Sequence, residues 1–527
     1  MQAIKQRTPK LFYQFAISDL VSTDHPYRRI EQHLNLNFLY KKTRHLYGTE
    51  GQKSIDPVVF IKMCLLGYFN NITSERALCR YCSDSISARW FLGYDIDEVL
   101  PVHSTLSRTR QLFGTELFEE VFCLVLGLCV DAGLVEGKRQ AFDSGLIKAN
   151  ASLDSMQRIV IMDDASEYCR QVEDENTDPV LLPARSKSGD SPAVPNELLR
   201  SVDCMSEEPV KRKRSNKTYA SASDPDARMA RKPGKPTDMY YHGQISVDSQ
   251  HGVIVGAMAD YADLDDHKSL PGLLERVQSN LSGHGLAVEE IVADSKYNTI
   301  TTIQACQQQG ITPFMQNPSG YKRDRDGFTF DEQANAYQCS QGATLSYKGK
   351  QKSREYFQYT YSSSAADCAD CPIRSQCITG KSKVKKLAHS DGKALYDEMD
   401  DRLQTDYGRR MLAKRKGIVE PVIGNLIHHN GMKKVFARGL AAADKHVLMT
   451  SISFNLKKWL RYGAPKPLRK VTSAALEQGL AVVEELSGKI FEKRTGLDAF
   501  LRQTLNYSQN LKFFIQTKYM GRFFWKT

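Results

Sequence analysis

From residue 140 onward the chain alternates short apolar segments with segments of helical spacing, and this alternation limits its fold more than any other feature. Residues 140–142 form a short strand-like run that leads into Asp143. Residues 239–247 alternate apolar or aromatic with polar side chains, and 252–257 follow after a His-Gly turn as the second arm of a hairpin. Helical spacing covers 270–281, residues 290–293 make a short apolar strand that ends at Asp294, and 311–314 make one more. Strands interleaved with helices indicate an α/β domain. Between 172 and 238 the pattern stops. Acids (Glu173, Asp174, Glu175, Asp178) give way to Pro, Ser and Arg, then to Lys211-Arg212-Lys213-Arg214, in a polar insertion that lacks the apolar residues to bury a core.

The first 135 residues read as helical. Asp56-Pro57 is a helix start, an N-cap followed by proline at the first helical position, and 58–69 continue it with apolar residues. Residues 74–81 and 87–92 are short helices around a Ser-Asp-Ser turn, and Ser104 caps one long stretch through 134. Short helices followed by a long one suit a helix-turn-helix-like arrangement, with Arg76, Arg80, Arg89, Arg108 and Arg110 available to phosphates. The alternative is a helical bundle that these arginines only solubilise.

With 41% hydrophobic residues over 527 positions, the chain has ample material for sizeable cores, so neither a fully disordered chain nor a disulfide-dependent miniprotein fits. The longest nearly unbroken apolar run, 121–130, is too short to span a bilayer, and the N-terminal residues lack the apolar centre of a signal peptide. The expectation is a soluble cytoplasmic protein with no membrane partner. A net charge of +11 makes a polyanion the first partner to consider, because lysine and arginine bind phosphates with release of counterions. After Asp498 there is no further acid, and basic residues there alternate with Tyr507, Phe513, Phe514, Tyr519, Phe523, Phe524 and Trp525. That tail suits either single-stranded or distorted DNA or an amphipathic helix docked on the body or a second subunit.

Asp143 and Asp294 each close a strand-like segment, and strand ends are where side chains of an open α/β sheet converge on a ligand. A third acid, Glu420, lies in a helix-patterned segment that packs through Ile418, Val422, Ile423 and Leu426. Three acids meeting at one sheet edge supply hard oxygen ligands for Mg²⁺. Two such ions activate an attacking oxygen on one side of a phosphodiester and stabilise the leaving oxygen on the other. Of the 12 cysteines, Cys339, Cys368, Cys371 and Cys377 form a group. A Cys-x-x-Cys turn aims two sulfurs at one ion, so these four make a tetrahedral thiolate set for structural Zn²⁺ in a small zinc-ribbon-like insertion; the alternative is four reduced thiols without metal.

Residues 141–152 (Ala-Phe-Asp-Ser-Gly-Leu-Ile-Lys-Ala-Asn-Ala-Ser) resemble the first-aspartate motif of bacterial insertion-sequence transposases with an Asp-Asp-Glu triad. Residues 291–298 (Ile-Val-Ala-Asp-Ser-Lys-Tyr-Asn) are similar to their second motif. Residues 419–424 (Val-Glu-Pro-Val-Ile-Gly), with 436–440 and 454–458 downstream, are similar to the glutamate motif and its following signature. Further counterparts are 223–228, His25-Pro26-Tyr27-Arg28-Arg29, Ser74-Glu75-Arg76 and Phe91-Leu92-Gly93, so the resemblance runs from about residue 10 to 462.

The resemblance implies a ribonuclease-H-like catalytic core in which Asp143, Asp294 and Glu420 hold two Mg²⁺ or Mn²⁺ ions. Such a core cuts at the element's ends and joins the freed 3′-hydroxyl to target DNA. It also implies that the cysteine group belongs to the branch with a zinc-binding insertion between the second Asp and the Glu. Lys148, Arg415, Lys416 and Arg438, within or beside these motifs, are expected to contact DNA; from the helical pattern Arg76, Arg108 and Arg110 are expected to face phosphates, and Lys211-Arg212-Lys213-Arg214, otherwise a solvated basic tract, to clamp the backbone. Lys416 stands where an arginine is usual, and Ile427 where a basic residue is expected, with His428 and His429 just beyond. These departures bear on handling of the second strand, including any hairpin intermediate, and leave the triad intact.

The expectation is therefore an α/β ribonuclease-H-like core with an all-α N-terminal domain and a small zinc-ribbon-like insertion. Its parts are a helical DNA-binding domain at 1–135, a first core segment at 136–330 with the insertion at 172–238, the cysteine insertion at 331–380, a last core segment at 381–465 and a basic aromatic region at 466–527. The expected partner is double-stranded DNA and the expected assembly a homodimer. A two-metal nuclease that never joins DNA, and a catalytically silent DNA-binding protein of the same fold, are the alternatives.

Overall fold

The computed structural model describes residues 14–48, 50–51, 54–159, 215–231, 236–318, 321, 327–353, 356–378 and 380–463. All belong to the first of two units, Met1–Ala464 and Pro465–Thr527. The basic run at 211–214 and the region from 466 onward lie outside the described residues.

Among the described residues seven α-helices precede the first strand: α1 (Pro26–His33), α2 (Phe38–Thr43), α3 (Pro57–Phe69), α4 (Glu75–Asp84), α5 (Ile86–Leu92), α6 (His103–Leu112) and α7 (Thr115–Asp131). Their starts follow local chemistry. The Asp56 carboxylate accepts from the N–H groups of Val58 and Val59 at 2.7 and 3.2 Å, with Pro57 at the first helical position. Ser74 and Ser85 cap α4 and α5 in the same way, and Gly93 ends α5 in the left-handed conformation at φ +80°. The long stretch expected from Ser104 through 134 is in fact two helices, and the first begins at His103. They part at Phe113-Gly114 because Phe113 is drawn fully into the core, edge-on to Phe60 at 5.1 Å, and its carbonyl accepts from the Lys445 ammonium instead of continuing a helical ladder.

The main sheet is built around β1 (Arg139–Lys148). Short β2 (Met156–Arg158) and β3 (Tyr219–Ser221) form a separate pair, while β4 (Arg228–Ala230) and β5 (Asp238–Asp248) return to the main sheet. There β5 runs antiparallel beside β1, and its far edge takes β4 at one end and β6 (Ile254–Tyr261) along the rest. On the other side of β1, β7 (Glu290–Ala293) and then β8 (Thr312–Met315) add parallel strands. The parallel crossovers run through α8 (Asp266–Ser282), and through α9 (Ile300–Gln308) between β7 and β8.

Beyond β8 the chain makes a second, all-antiparallel sheet from β9 (Phe328–Asp331), β10 (Ala336–Cys339), β11 (Thr344–Ser353), β12 (Tyr356–Ser362) and β13 (Lys386–Ser390). The one-turn helix α10 (Arg374–Cys377) lies between β12 and β13. Phe328, Tyr337, Leu345, Tyr361 and Leu387 form its own small core.

Three helices complete the described chain: α11 (Lys393–Gln404), α12 (Asp406–His429) and α13 (Leu440–Lys458). Helix α13 is buried on nearly every side and covers the outer side of β6. The Asn455 side chain accepts from the Ile254 N–H at 2.9 Å and donates to its carbonyl at 2.7 Å, and Asp444 accepts from the Ala259 N–H at 2.8 Å. These bonds occupy backbone groups that an edge strand otherwise leaves open. One continuous apolar core joins the N-terminal helices, the sheet and α13, from Tyr27 to Trp459. No helix among the described residues is long and apolar enough to cross a membrane.

Candidate active site

Strand register places the first two acids. Ala141 on β1 pairs with Val292 on β7 in parallel; Asp143 follows two residues on, midway along β1 and not at its end as expected, because β5 pairs with β1 as far as Lys148, and Asp294 follows just past the end of β7. Side chains repeat on one face every second residue, and neighbouring strands are about 4.8 Å apart, so Asp143 and Asp294 stand side by side on one face, where β7 ends beside the middle of β1. Asp143 is largely enclosed, its side chain 17% exposed. Burial pushes its carboxyl up to about 6; the nearby Asp294 and Asp266 carboxylates push the same way, against the Ser144 N–H and the Arg415 guanidinium. Two carboxylates crowded in a partly dry site favour any added positive charge.

Helix α12 lies over β1, where Ile423 packs at the Cα of Gly145, and its first half rests on β7 and β8 through Met411 against Val292 and Phe314. It carries two site groups of opposite sign. Arg415 is enclosed at 14% exposure and sits between the acids, 3.3 Å from an Asp143 oxygen and 3.9 Å from Glu420 Oε1. Glu420 projects outward at 58% exposure. The guanidinium therefore occupies ground between Asp143 and Glu420. Among the described residues no three His, Cys, Asp or Glu side chains close to metal-bonding distance.

Sequence reasoning did not reach the floor of the site. Asp266, in the first turn of α8, is only 4% exposed. It accepts from Ser144 Oγ at 2.7 Å and from Gln244 Nε2 at 3.3 Å, and it lies 3.5 Å from both His242 Nε2 and Lys296 Nζ. Tyr297 donates to the Gln244 side-chain oxygen at 2.8 Å. Burial lowers the His242 pKa, with Lys296 adding to that and Asp266 opposing it, while burial and the nearby acids raise Tyr297 well above its ordinary value. Four segments, β1, β5, α8 and the turn after β7, thus meet in a buried polar network beneath Asp143. The available signal was the Asp265-Asp266 pair ahead of the helical run at 270, which reads locally as acid at a helix start.

The expected DNA contacts are placed unevenly. Arg76, Arg108, Lys416 and Arg438 are exposed. Lys148, at the end of β1, pairs with Asp238. Arg110 does not present its charge outward: its guanidinium holds Glu75 at 2.9 Å and reaches Cys64 Sγ at 3.8 Å, a buried use of charge that removes it from a phosphate-facing surface. Cys339, Cys368, Cys371 and Cys377 all line one small cavity beside the second sheet, although no three of them close to metal-bonding distance. Ser363 Oγ lies 3.1 Å from Cys368 Sγ, and the Gln341 N–H points at Cys339 Sγ at 3.5 Å.

Two family models match the chain: "Transposase domain (DUF772)" over residues 15–112 and "Transposase DDE domain" over residues 338–460. No curated protein matches it by sequence. Among solved structures, it is similar to a piggyBac transposase synaptic complex with hairpin DNA, at 9% identity and a TM-score of 0.31, over 92% of this chain and 85% of that one. It is also similar to a Mos1 mariner paired-end complex with Mn, at 10% identity and a TM-score of 0.15, over 52% of this chain and 64% of that one.

Proposed function

Since the chain belongs to the DDE transposases of insertion sequences, we propose that it binds the terminal inverted repeats of its element, cuts there and joins the freed 3′-hydroxyl to target DNA. The observation that carries this reading is the parallel register that sets Asp143 beside Asp294, with the Glu420 helix lying over the same strand.

In this reading the sheet is a ribonuclease-H-like core, and Asp143, Asp294 and Glu420 hold two Mg²⁺ or Mn²⁺ ions. Their hard oxygen donors suit such ions, and the raised Asp143 pKa marks a site where added positive charge is favoured. Bound ions would activate the attacking oxygen and stabilise the leaving one. The protein's own groups do the rest. Arg415 balances Asp143 and Glu420 until that charge arrives, then turns its guanidinium to a DNA phosphate. Asp266 orients Ser144 and Gln244, which fix the strand backbone beneath Asp143. Arg76, Arg108, Lys148, Lys416 and Arg438 take backbone phosphates, with helices at 1–135 reading the element's ends. Two chains act together, because two ends must be joined to one target. The four cysteines hold a structural Zn²⁺, supported by their shared cavity; stoichiometric zinc in the purified protein, released by a thiol-blocking reagent, is the expected result, and metal-free protein with intact second sheet refutes it.

Purified protein with Mg²⁺ should nick and join DNA that carries the element's end. Asp143→Asn, Asp294→Asn and Glu420→Gln should each cut the rate by at least about 10³-fold, the scale of lost charge stabilisation in phosphoryl transfer. Full activity in any one of them removes the triad assignment. Cleavage without joined product makes the chain a two-metal nuclease instead.

A further inference from the structure

A groove runs along the side of α12 that the roles above do not use. Gly417, Pro421 and Asn425 form one wall, and the β5–β6 turn with the end of α13 forms the other. The described residues that line it include Lys457, Lys458, Arg461 and His251 but no carboxylate. Lys458 Nζ donates to the Gly252 carbonyl at 3.0 Å, and Lys457 Nζ donates to Asn430 Oδ1 at 2.7 Å and to the His429 carbonyl at 3.2 Å. An ammonium has three donors, so these neutral partners use only part of each and cancel none of the charge.

The fold accounts for these cations only in part: Lys457 caps the last carbonyl of α12 and lies over the Phe69 ring at 5.3 Å, and Lys458 lies over the Phe454 ring at 5.2 Å, but none of these partners carries a negative charge. Both lysines are half-buried, burial pulls their pKa values down, and no carboxylate offsets it. Partly desolvated charge without a counter-charge is unfavourable. Gly252, at φ +66°, keeps the turn close: a Cβ there would come within 2.8 Å of Lys458 Nζ. At the mouth, the Arg461 guanidinium lies 5.1 Å from the ring centre of Tyr462, which is itself 57% exposed. An open groove with clustered cations, no acid and an aromatic face at its rim matches a sugar-phosphate backbone in sign and shape.

We propose that this groove is a track for the phosphate backbone of duplex DNA, gripped by Lys457, Lys458 and Arg461 as the duplex passes the Glu420 helix. The inference rests on the reading that DNA is the substrate, and it adds a path which that reading does not need. Contacts of this kind set affinity and register but carry no base information.

The full chain is titrated with a fluorescein-labelled duplex of unrelated sequence across a salt series, beside the variant Lys457→Gln/Lys458→Gln/Arg461→Gln and the single exposed change Arg461→Glu. The wild type should show a steep linear fall of log K with log salt. The triple variant should lose about 2–3 from that slope, near 0.9 for each phosphate contact removed, and bind at least about tenfold more weakly. Preference for the element's end over unrelated duplex should not change. A wild-type slope in a triple variant that melts with the wild type overturns the track; if the triple variant misfolds, a wild-type slope in Arg461→Glu does so. Unaltered duplex binding with altered self-association also overturns it, making the groove a protein contact. A wild type that cuts and joins DNA while both variants bind normally loses only this groove; a wild type that neither binds nor cuts DNA brings down the transposase reading as well.

Discussion

Two polar clusters lie within this fold, and they spend the same chemistry differently. One surrounds Asp143 in the middle of β1, beside the end of β7. The other lies where α3, α4 and α6 meet α13. In it Arg110 holds Glu75 at 2.9 Å, Tyr68 bonds His446 Nδ1 at 2.8 Å and Lys445 donates to the carbonyls of Arg110 and Phe113. Both gather acids, bases and a tyrosine from distant parts of the chain. In the second, the arginine, lysine and tyrosine all have partners within the protein, so the cluster closes the fold. At the first, Asp143 and Asp294 crowd each other and Glu420 turns to solvent. Residue type does not separate a site from a structural cluster; unspent charge with access does.

The largest expected contrast concerns Arg110. Arg110→Met leaves Glu75 half-buried without its partner and should cost about 3 kcal/mol of stability, the lower end for breaking such a pair. Arg108→Gln, on the exposed face of the same helix, should stay within about 0.5 kcal/mol of wild type and instead weaken DNA binding. Denaturant melts and salt titrations on both variants test this, and equal stability would erase the distinction. Next comes the opposite sign at the active site. Asp143→Asn removes a carboxylate whose pKa rises from 3.8 to about 6, so in protein stripped of divalent ions it should gain up to about 3 kcal/mol at pH 7 while losing its catalysis. A stability loss there would show that Asp143 is spent on Arg415 much as Glu75 is on Arg110.

The smallest effect at neutral pH belongs to His446. Burial, with Arg110 adding to it, lowers its pKa from 6.5 to about 3. Between those values the unfolded chain binds the proton that the folded chain refuses, so stability falls as pH drops below 6.5 and levels near 3. The loss should reach about 2 kcal/mol by pH 5. His446→Phe should flatten that part of the pH profile in urea melts at matched pH. An unchanged profile would place the titration elsewhere.

Much of the site could be read locally. Asp294 follows an apolar run of strand length and Asp143 a shorter one inside β1, and the Asp56-Pro57 start of α3 needs only the residues beside it. Glu420 was visible as part of a patterned helix, but its exposure was not. Asp266 stayed hidden because acids ahead of a helix usually serve its N-terminus, and no neighbour in the chain tells that this carboxylate turns to Ser144 and Gln244. Arg110 had the spacing of a surface arginine until α4 brought Glu75 against it. The break at Phe113 depended on Phe60 and Lys445, both far away along the chain.

By itself the sequence determined the helical N-terminal region, the apolar cores of β5 to β8, where several helices begin, and the acids that follow apolar strand segments. Periodicity, capping and turn chemistry act over a few residues, so the information is present wherever the segment is. Only the tertiary structure decided that Ala141 pairs with Val292, that Arg415 falls between two acids, and that cations line a groove without a carboxylate. Register and adjacency arise when separated segments bury one shared core, and packing, with charge left over or cancelled, selects among the arrangements that local pattern allows.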